Sequence, residues 1–203
     1  MAKYDWTAMY VMHNALRREL EHLAKVAARP EDEARRVLAE APGWELFKKA
    51  LHVHHSAEDE VLWPAMREAL AGRPDDLALM DAMEAEHAVI DPVVEAIDAG
   101  TEPLAPLVEA LAGGVTAHLR HEEEAALPLI DEVLAPEHVA RFGQVHGTKI
   151  GPDGPRIFPW LLDGVDEGTE AAMLGVLPEP ARAAFETAWR PAYAALDRWG
   201  AAG

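Results

Sequence analysis

The chain has no cysteine. Without thiolates it can build no disulfide scaffold, zinc–thiolate site, iron–sulfur cluster or thiol nucleophile. Basic residues are scarce. Lys and Arg number 18 against 36 Asp and Glu, a formal net charge of −18 with ten histidines counted neutral. Such a surface repels nucleic acid and anionic lipid and suits cations or a basic partner. No apolar run approaches the roughly 18 residues of a membrane span. The opening Met-Ala-Lys-Tyr-Asp-Trp has neither the apolar segment nor the cleavage site of a signal peptide. The expectation is a cytoplasmic protein that engages neither nucleic acid nor membrane. β-Branched residues are also sparse, and no strand-like alternation occurs. What remains is rich in Ala, Leu and Glu, which favours helix. Half the residues are hydrophobic, so the chain is globular, and its 203 residues suffice for one domain with a real core or one domain plus an appendage.

Four long segments carry helical periodicity. The first runs from about Trp6 to Ala28, with Met9, Met12, Leu16, Leu20 and Leu23 on one stripe, and Pro30 ends it. The second starts near Pro42 and runs past Leu70; its stripe includes Phe47, Leu51, Val61 and Leu62. The third spans about Asp75 to Ala99, with Met80, Met83, Ile90, Val94 and Ile97, and Gly100 stops it. The fourth runs from near Pro103 to about Leu134 through Leu107, Leu111, Val115 and Leu129. Short connections make sequential antiparallel neighbours, so the fold class is all-α: an up-down-up-down four-helix bundle over residues 1–135. Residues 136–203 read as a helical C-terminal extension. It comprises a short helix over His138–His146, a Gly/Pro-rich loop from Gly147 to Pro159, helical pieces to Leu177, and a last helix from Glu179 to Trp199 kinked near Pro191. Its three tryptophans and the run FPWLL predict that it packs on the bundle or forms a dimer interface.

One repeat is visible. HHSAEDEVLWP over residues 54–64 and HLRHEEEAALP over residues 118–128 both carry His, Glu four later, Glu again two beyond, and Pro ten after the His. Residues four apart on a helix share a face. His54 with Glu58, and His118 with Glu122, therefore project together among core residues. His13 lies on the stripe between Met9 and Leu16, and His87 between Met83 and Ile90. One such histidine is ordinarily a hydrogen-bonded core residue. Four imidazoles and two carboxylates in one apolar core need a compensating charge, which a pair of divalent metals supplies. This donor set suits iron, manganese, zinc or copper. The ferritin-like pattern, Glu followed by His three residues later, is absent.

The other polar residues have blander expectations. His22 and His52 read as solvated. His55 and His121 flank the ligand face as boundary or supporting residues, and His138 and His146 lie outside the bundle. Asp59, Glu60, Glu123 and Glu124 form a solvated acidic face able to orient imidazole N–H groups. Tyr10, three residues before His13, packs and is within reach of the site as a hydrogen-bond donor; Asp91, four after His87, is placed to fill a further position.

A single His on the first helix, His-x-x-x-Glu on the second, a single His on the third and His-x-x-x-Glu on the fourth, with EDEVLWP after the first pair, resembles the hemerythrin or HHE cation-binding family over about residues 6–134. The resemblance implies a four-helix bundle holding two iron ions with an oxo or hydroxo bridge, zinc or manganese being the lesser alternatives. It makes His13, His54, His87 and His118 terminal ligands, with Glu58 and Glu122 bridging. It also implies dioxygen, peroxide or another small diatomic ligand as partner, in a monomer or homodimer. The chain departs from oxygen carriers of the family at the third helix, where Met83 precedes His87 and no second histidine stands four residues away. With four histidines, both metals keep an open position. That favours oxidase, catalase or peroxidase chemistry over reversible carriage; storage, or sensing of oxygen, nitric oxide or iron, is the other class.

Overall fold

The computed structural model describes residues 2–200. Residues 1 and 201–203, the outer ends of the two expected segments, lie outside the described residues. Every regular element among them is helical. The bundle is formed by α1 (Thr7–Ala27), α3 (Gly43–Ala57) continued by α4 (Trp63–Ala69), α5 (Pro74–Ala99), and α6 (Leu104–His121) continued by α7 (Leu127–Val133). Between α1 and α3 lies α2 (Glu31–Glu40), for which the sequence raised no expectation. Pro30 precedes it and Glu31, Asp32 and Glu33 fill its first turn, so fixed φ and three anions at the positive end of the helix dipole start a short helix that buries Ala34, Val37 and Leu38 on one face. Gly100 closes α5 at φ +66°, a left-handed conformation that glycine adopts without strain.

The α3–α4 and α6–α7 pairs are each one continuous rod interrupted by a single wide turn, over Glu58–Leu62 and Glu122–Ala126. In each the N–H at the end of the wide turn, of Trp63 or of Leu127, donates to the carbonyl five residues back, that of Glu58 or of Glu122. A third wide turn, Phe185–Trp189, lies in the extension. A proline stands two residues beyond all three, at Pro64, Pro128 and Pro191. Proline has no N–H to return to the preceding turn and its ring crowds that turn's carbonyl, and widening the helix relieves both. Proline alone is insufficient, because Pro92 sits within α5 without such a turn.

Two hydrophobic clusters sandwich a polar layer. One contains Leu16 and Leu20 of α1, Phe47 and Leu51 of α3, Ile90 and Ile97 of α5, and Leu111 and Val115 of α6. The other contains Met9, Leu62, Met66, Met80, Met83, Ala126 and Ile130. Each of the four rods thus contributes to one cluster before its inward histidine and to the other after it.

The extension runs α8 (Pro136–Ile150), a tight turn at Gly151–Asp153, α9 (Gly154–Leu162), α10 (Glu167–Gly175), α11 (Glu179–Ala184) and α12 (Arg190–Ala194). The stretch from Gly147 to Pro159, expected as loop, is largely helical. Pro152 and Pro155 occupy first-turn positions, where a missing N–H costs nothing. Ile157, Trp160, Leu161, Leu162, Phe185, Tyr193 and Trp199 join the first bundle cluster, giving one continuous core. Polar ties accompany it. Trp199 Nε1 donates to Glu19 Oε2 at 2.8 Å, Arg18 Nη2 to the Trp160 carbonyl at 2.8 Å, and the Gly43 N–H to the Arg198 carbonyl at 2.9 Å. The α8 helix lies along α3 and the Glu58–Leu62 turn, with Lys149 Nζ 2.9 Å from Glu60 Oε2.

Candidate metal centre

The polar layer resolves into two donor groups. His13, His54, Glu58 and Glu122 form one, and His55, His87 and His118 the other; the ligand atoms within each lie no more than 4.8 Å apart. All seven residues are buried. The six donors expected from the sequence are therefore brought together, and His55 joins them. Adjacent positions on a helix point about 100° apart, so His54 turns toward α1 and His13 while His55 turns toward α5, stacking on His87 with ring centroids 3.9 Å apart. No one-face reading of α3 could have placed both. The signal available was the doublet itself, two consecutive histidines one turn before a buried glutamate.

The geometry within each group is that of donors sharing a centre. His13 Nε2 stands 3.0 Å from His54 Nε2, and His87 Nε2 stands 3.0 Å from His118 Nε2. Two nitrogens at right angles around one ion, each about 2.1 Å from it, are about 3.0 Å apart. The Glu58 carboxylate reaches both groups: Oε1 is 3.1 Å from His54 Nδ1 and Oε2 is 3.6 Å from His87 Nε2. Glu122 Oε2 is 3.1 Å from His13 Nε2.

Outer carboxylates hold the rings from behind. His13 Nδ1 lies 2.8 Å from Glu123 Oε1, His87 Nδ1 2.9 Å from Asp59 Oδ1, and His118 Nδ1 2.9 Å from Glu86 Oε2. Each pairing places the N–H on Nδ1 and leaves Nε2 as the inward lone pair. Arg17 Nη1 donates to Glu123 at 2.8 Å, and His121 Nδ1 meets Glu86 at 2.8 Å. Asp59 and Glu123, expected on a solvated acidic face, thus also orient imidazoles, and His121 supports Glu86. Burial works to raise the pKa of Glu123, but the hydrogen bonds from His13 and Arg17 outweigh it and hold it at about 2.

Two expectations are corrected. Asp91 is exposed, because four residues beyond His87 on α5 is about 40° further round, enough to carry it out of the bundle. Glu86, beside His87, reaches the layer instead. Tyr10 is 43% exposed and contributes no donor, its position three residues before His13 being about 60° off that face. It lines a surface cleft of about 460 Å³ together with Glu123. His52 is exposed, and His22 stacks on Trp199.

The inner atoms fit a metal by their own chemistry. Both carboxylate oxygens of Glu58, both of Glu122 and both ring nitrogens of His55 are buried with no hydrogen-bond partner among the described residues. Each such group costs about 1–3 kcal/mol when left unsatisfied, and one cation contacting several of them removes the cost together. Burial pushes the Glu58 carboxyl well above its ordinary value, with Glu122 and Asp59 pushing the same way. Burial drives His54 and His55 well below the ordinary imidazole value, helped by neighbouring histidines, so both stay in the neutral form that binds metal. At His13 burial opposes charge, but Glu122 and Glu123 prevail and raise its pKa. Neutral imidazoles at His54 and His55 beside buried glutamate oxygens that have no hydrogen-bond partner among the described residues are a metal-binding donor set, of a kind suited to iron.

No curated protein and no solved structure matches the chain. The sequence model of the hemerythrin HHE cation binding domain matches residues 5–130, more than half the chain and all seven buried donors. The chain belongs to the hemerythrin HHE cation-binding family.

Proposed function

We propose that the chain is a non-haem diiron protein that binds and reacts with dioxygen or peroxide. The observation that carries this reading is the Glu58 carboxylate, buried between the two donor groups with one oxygen toward each. Glu58 and Glu122 would be shared by both ions, His13 and His54 would serve one, and His55, His87 and His118 the other. Two irons so held supply the paired electron changes that reducing dioxygen or splitting peroxide requires. The residues do the rest: Glu123, Asp59 and Glu86 fix the tautomers of three ligands, and the leucine- and methionine-lined clusters above and below exclude water.

The fifth imidazole refines the sequence expectation. With four histidines both ends would be open. With His55 included, the three-histidine end has fewer positions left than the two-histidine end, so the small ligand is assigned to the latter. The same asymmetry favours a second reading, reversible binding or sensing of oxygen or nitric oxide without turnover.

Elemental analysis of protein made under iron-replete conditions is expected to give two irons per folded chain, and one or fewer in Glu58→Ala or Glu122→Ala. Iron-loaded protein is expected to consume hydrogen peroxide faster than free ferric iron at equal concentration. One metal or none in the parent protein overturns the dinuclear reading. Two irons with stable, reversible oxygen binding and no peroxide consumption above the control establishes the second reading.

A further inference from the structure

Glu122 and Glu123 follow one another in the wide turn and face different ways. Glu122 is fully buried among the donors. Glu123 holds His13 Nδ1 from behind at 2.8 Å and keeps 18% of its side chain exposed. It lines the surface cleft of about 460 Å³, whose walls also carry Lys3, Trp6, Tyr10, Asp131 and Glu132. That volume is within the range of small-molecule sites, roughly 300–1,000 Å³. The N-terminal wall is tied to α7, because Asp131 accepts from the backbone N–H groups of Lys3 and Tyr4, at 3.0 and 3.2 Å, and from Trp6 Nε1 at 3.1 Å. Tyr10 offers an exposed aromatic ring on the α1 side. Three carboxylates line the cleft against one ammonium. Arg17 and Arg73 pair with Glu123 and Glu132 from outside it, in a chain whose net charge is −18. A molecule lodged beside Glu123 is thus separated from the donor His13 by a single carboxylate.

We propose that this cleft binds a neutral aromatic diol of the hydroquinone type, which serves as electron donor to the centre. The inference rests on the diiron reading above and names the reductant that peroxide chemistry at the centre consumes. The lining selects the class. The ring of the diol stacks on Tyr10, its hydroxyls donate to the carboxylates, and the same carboxylates repel an anionic reductant. The reaction balances without a further reagent. The two O–H bonds of the diol break, two electrons and two protons leave, and the quinone remains. Peroxide takes up two electrons and two protons, its O–O bond breaks, and two waters form. The electrons cross the Glu123–His13 hydrogen bond to the two-histidine end, where the small ligand is assigned. The protons exchange with water at the mouth of the cleft.

The test uses full-length iron-loaded protein and hydroquinone, whose para hydroxyls cannot chelate iron, with hydroquinone sulfonate as its anionic counterpart. Binding is measured by calorimetry under argon without peroxide, so it is read apart from turnover. Two exposed positions are varied: Tyr10, and Glu132, which lines this cleft and not the larger one on the other side of Tyr10. The parent is expected to bind hydroquinone saturably and the sulfonate about tenfold more weakly, as like charges in contact require. Tyr10→Ala should bind hydroquinone about fivefold more weakly at parental iron content, as for loss of one ring stack. Glu132→Lys should narrow the preference over the sulfonate to about threefold or less. With peroxide added, one quinone should form per peroxide consumed, faster than with free ferric iron. No saturable binding, or parental affinity and preference in both variants, overturns this proposal alone. Binding without quinone formation, in protein that consumes peroxide by itself, also overturns the donor role and leaves the diiron reading standing. A parent protein that holds no iron overturns both together.

Discussion

At the scale of single residues, the sharpest question is His55. If its lone pair serves the three-histidine end, His55→Ala should lower iron affinity there by at least about tenfold, the lower bound seen even for outer partners of metal ligands. His52→Ala, three residues earlier and exposed, should leave affinity unchanged. Competitive titration against a chelator measures both, and equal affinities would return His55 to a boundary role. Six of the seven buried donors were legible because each sits at a core position of an unbroken apolar stripe. His55 was not, since periodicity assigns one inward face per helix, whereas a centre placed between four helices is seen by α3 from two sides. Asp91 misled for the related reason that four residues share a face only to within about 40°. Glu86 gave no sequence signal at all, because a carboxylate that reaches around a neighbouring imidazole looks like any surface glutamate.

At the scale of elements, the helix starts are unequal. Among the described helices only α10 is capped by the side chain of its own N-cap residue: Asp166 accepts from the backbone N–H groups of Gly168 and Thr169, each at 3.0 Å, and from Thr169 Oγ1 at 2.6 Å. The Thr169 hydroxyl and backbone N–H lower its pKa below the ordinary 3.8. A lowered carboxylate stabilises at pH above its unfolded value and loses that contribution as pH falls through its folded value. Asp166→Ala should therefore speed amide exchange across Glu167–Gly175 at neutral pH, and the difference from the parent should shrink as pH drops below about 4. Exchange mass spectrometry would show it, and a difference that persists undiminished at the lowest pH would refute the cap's role. The wide turns after Glu58 and Glu122 were the least legible elements. A wide turn is set by where a carbonyl finds its donor, and the proline that displaces that donor, two residues later, reads in sequence as a helix end or kink.

At the scale of the whole molecule, the two expected segments share one core, and the contact that seals it is close. A Cβ added at Gly43 would run into the Arg198 carbonyl and the Trp199 ring. Gly43→Ala should displace the Trp199 segment, destabilise the protein by about 1–3 kcal/mol as overpacking does, and shift tryptophan fluorescence toward that of solvated indole. An unchanged spectrum with parental stability would mean that the segment gives way freely. The bundle was legible from four stripes and a repeat, and the extension only in outline, because its prolines serve as helix starts where a breaker was expected. One feature ties these scales. On α1, His13 faces the centre and Glu19, fully buried six residues later, receives the Trp199 indole N–H. If α1 transmits strain between these two places, the coupling is reciprocal: a ligand that stabilises the centre tightens the tail, and by the same free energy a loosened tail weakens binding at the centre.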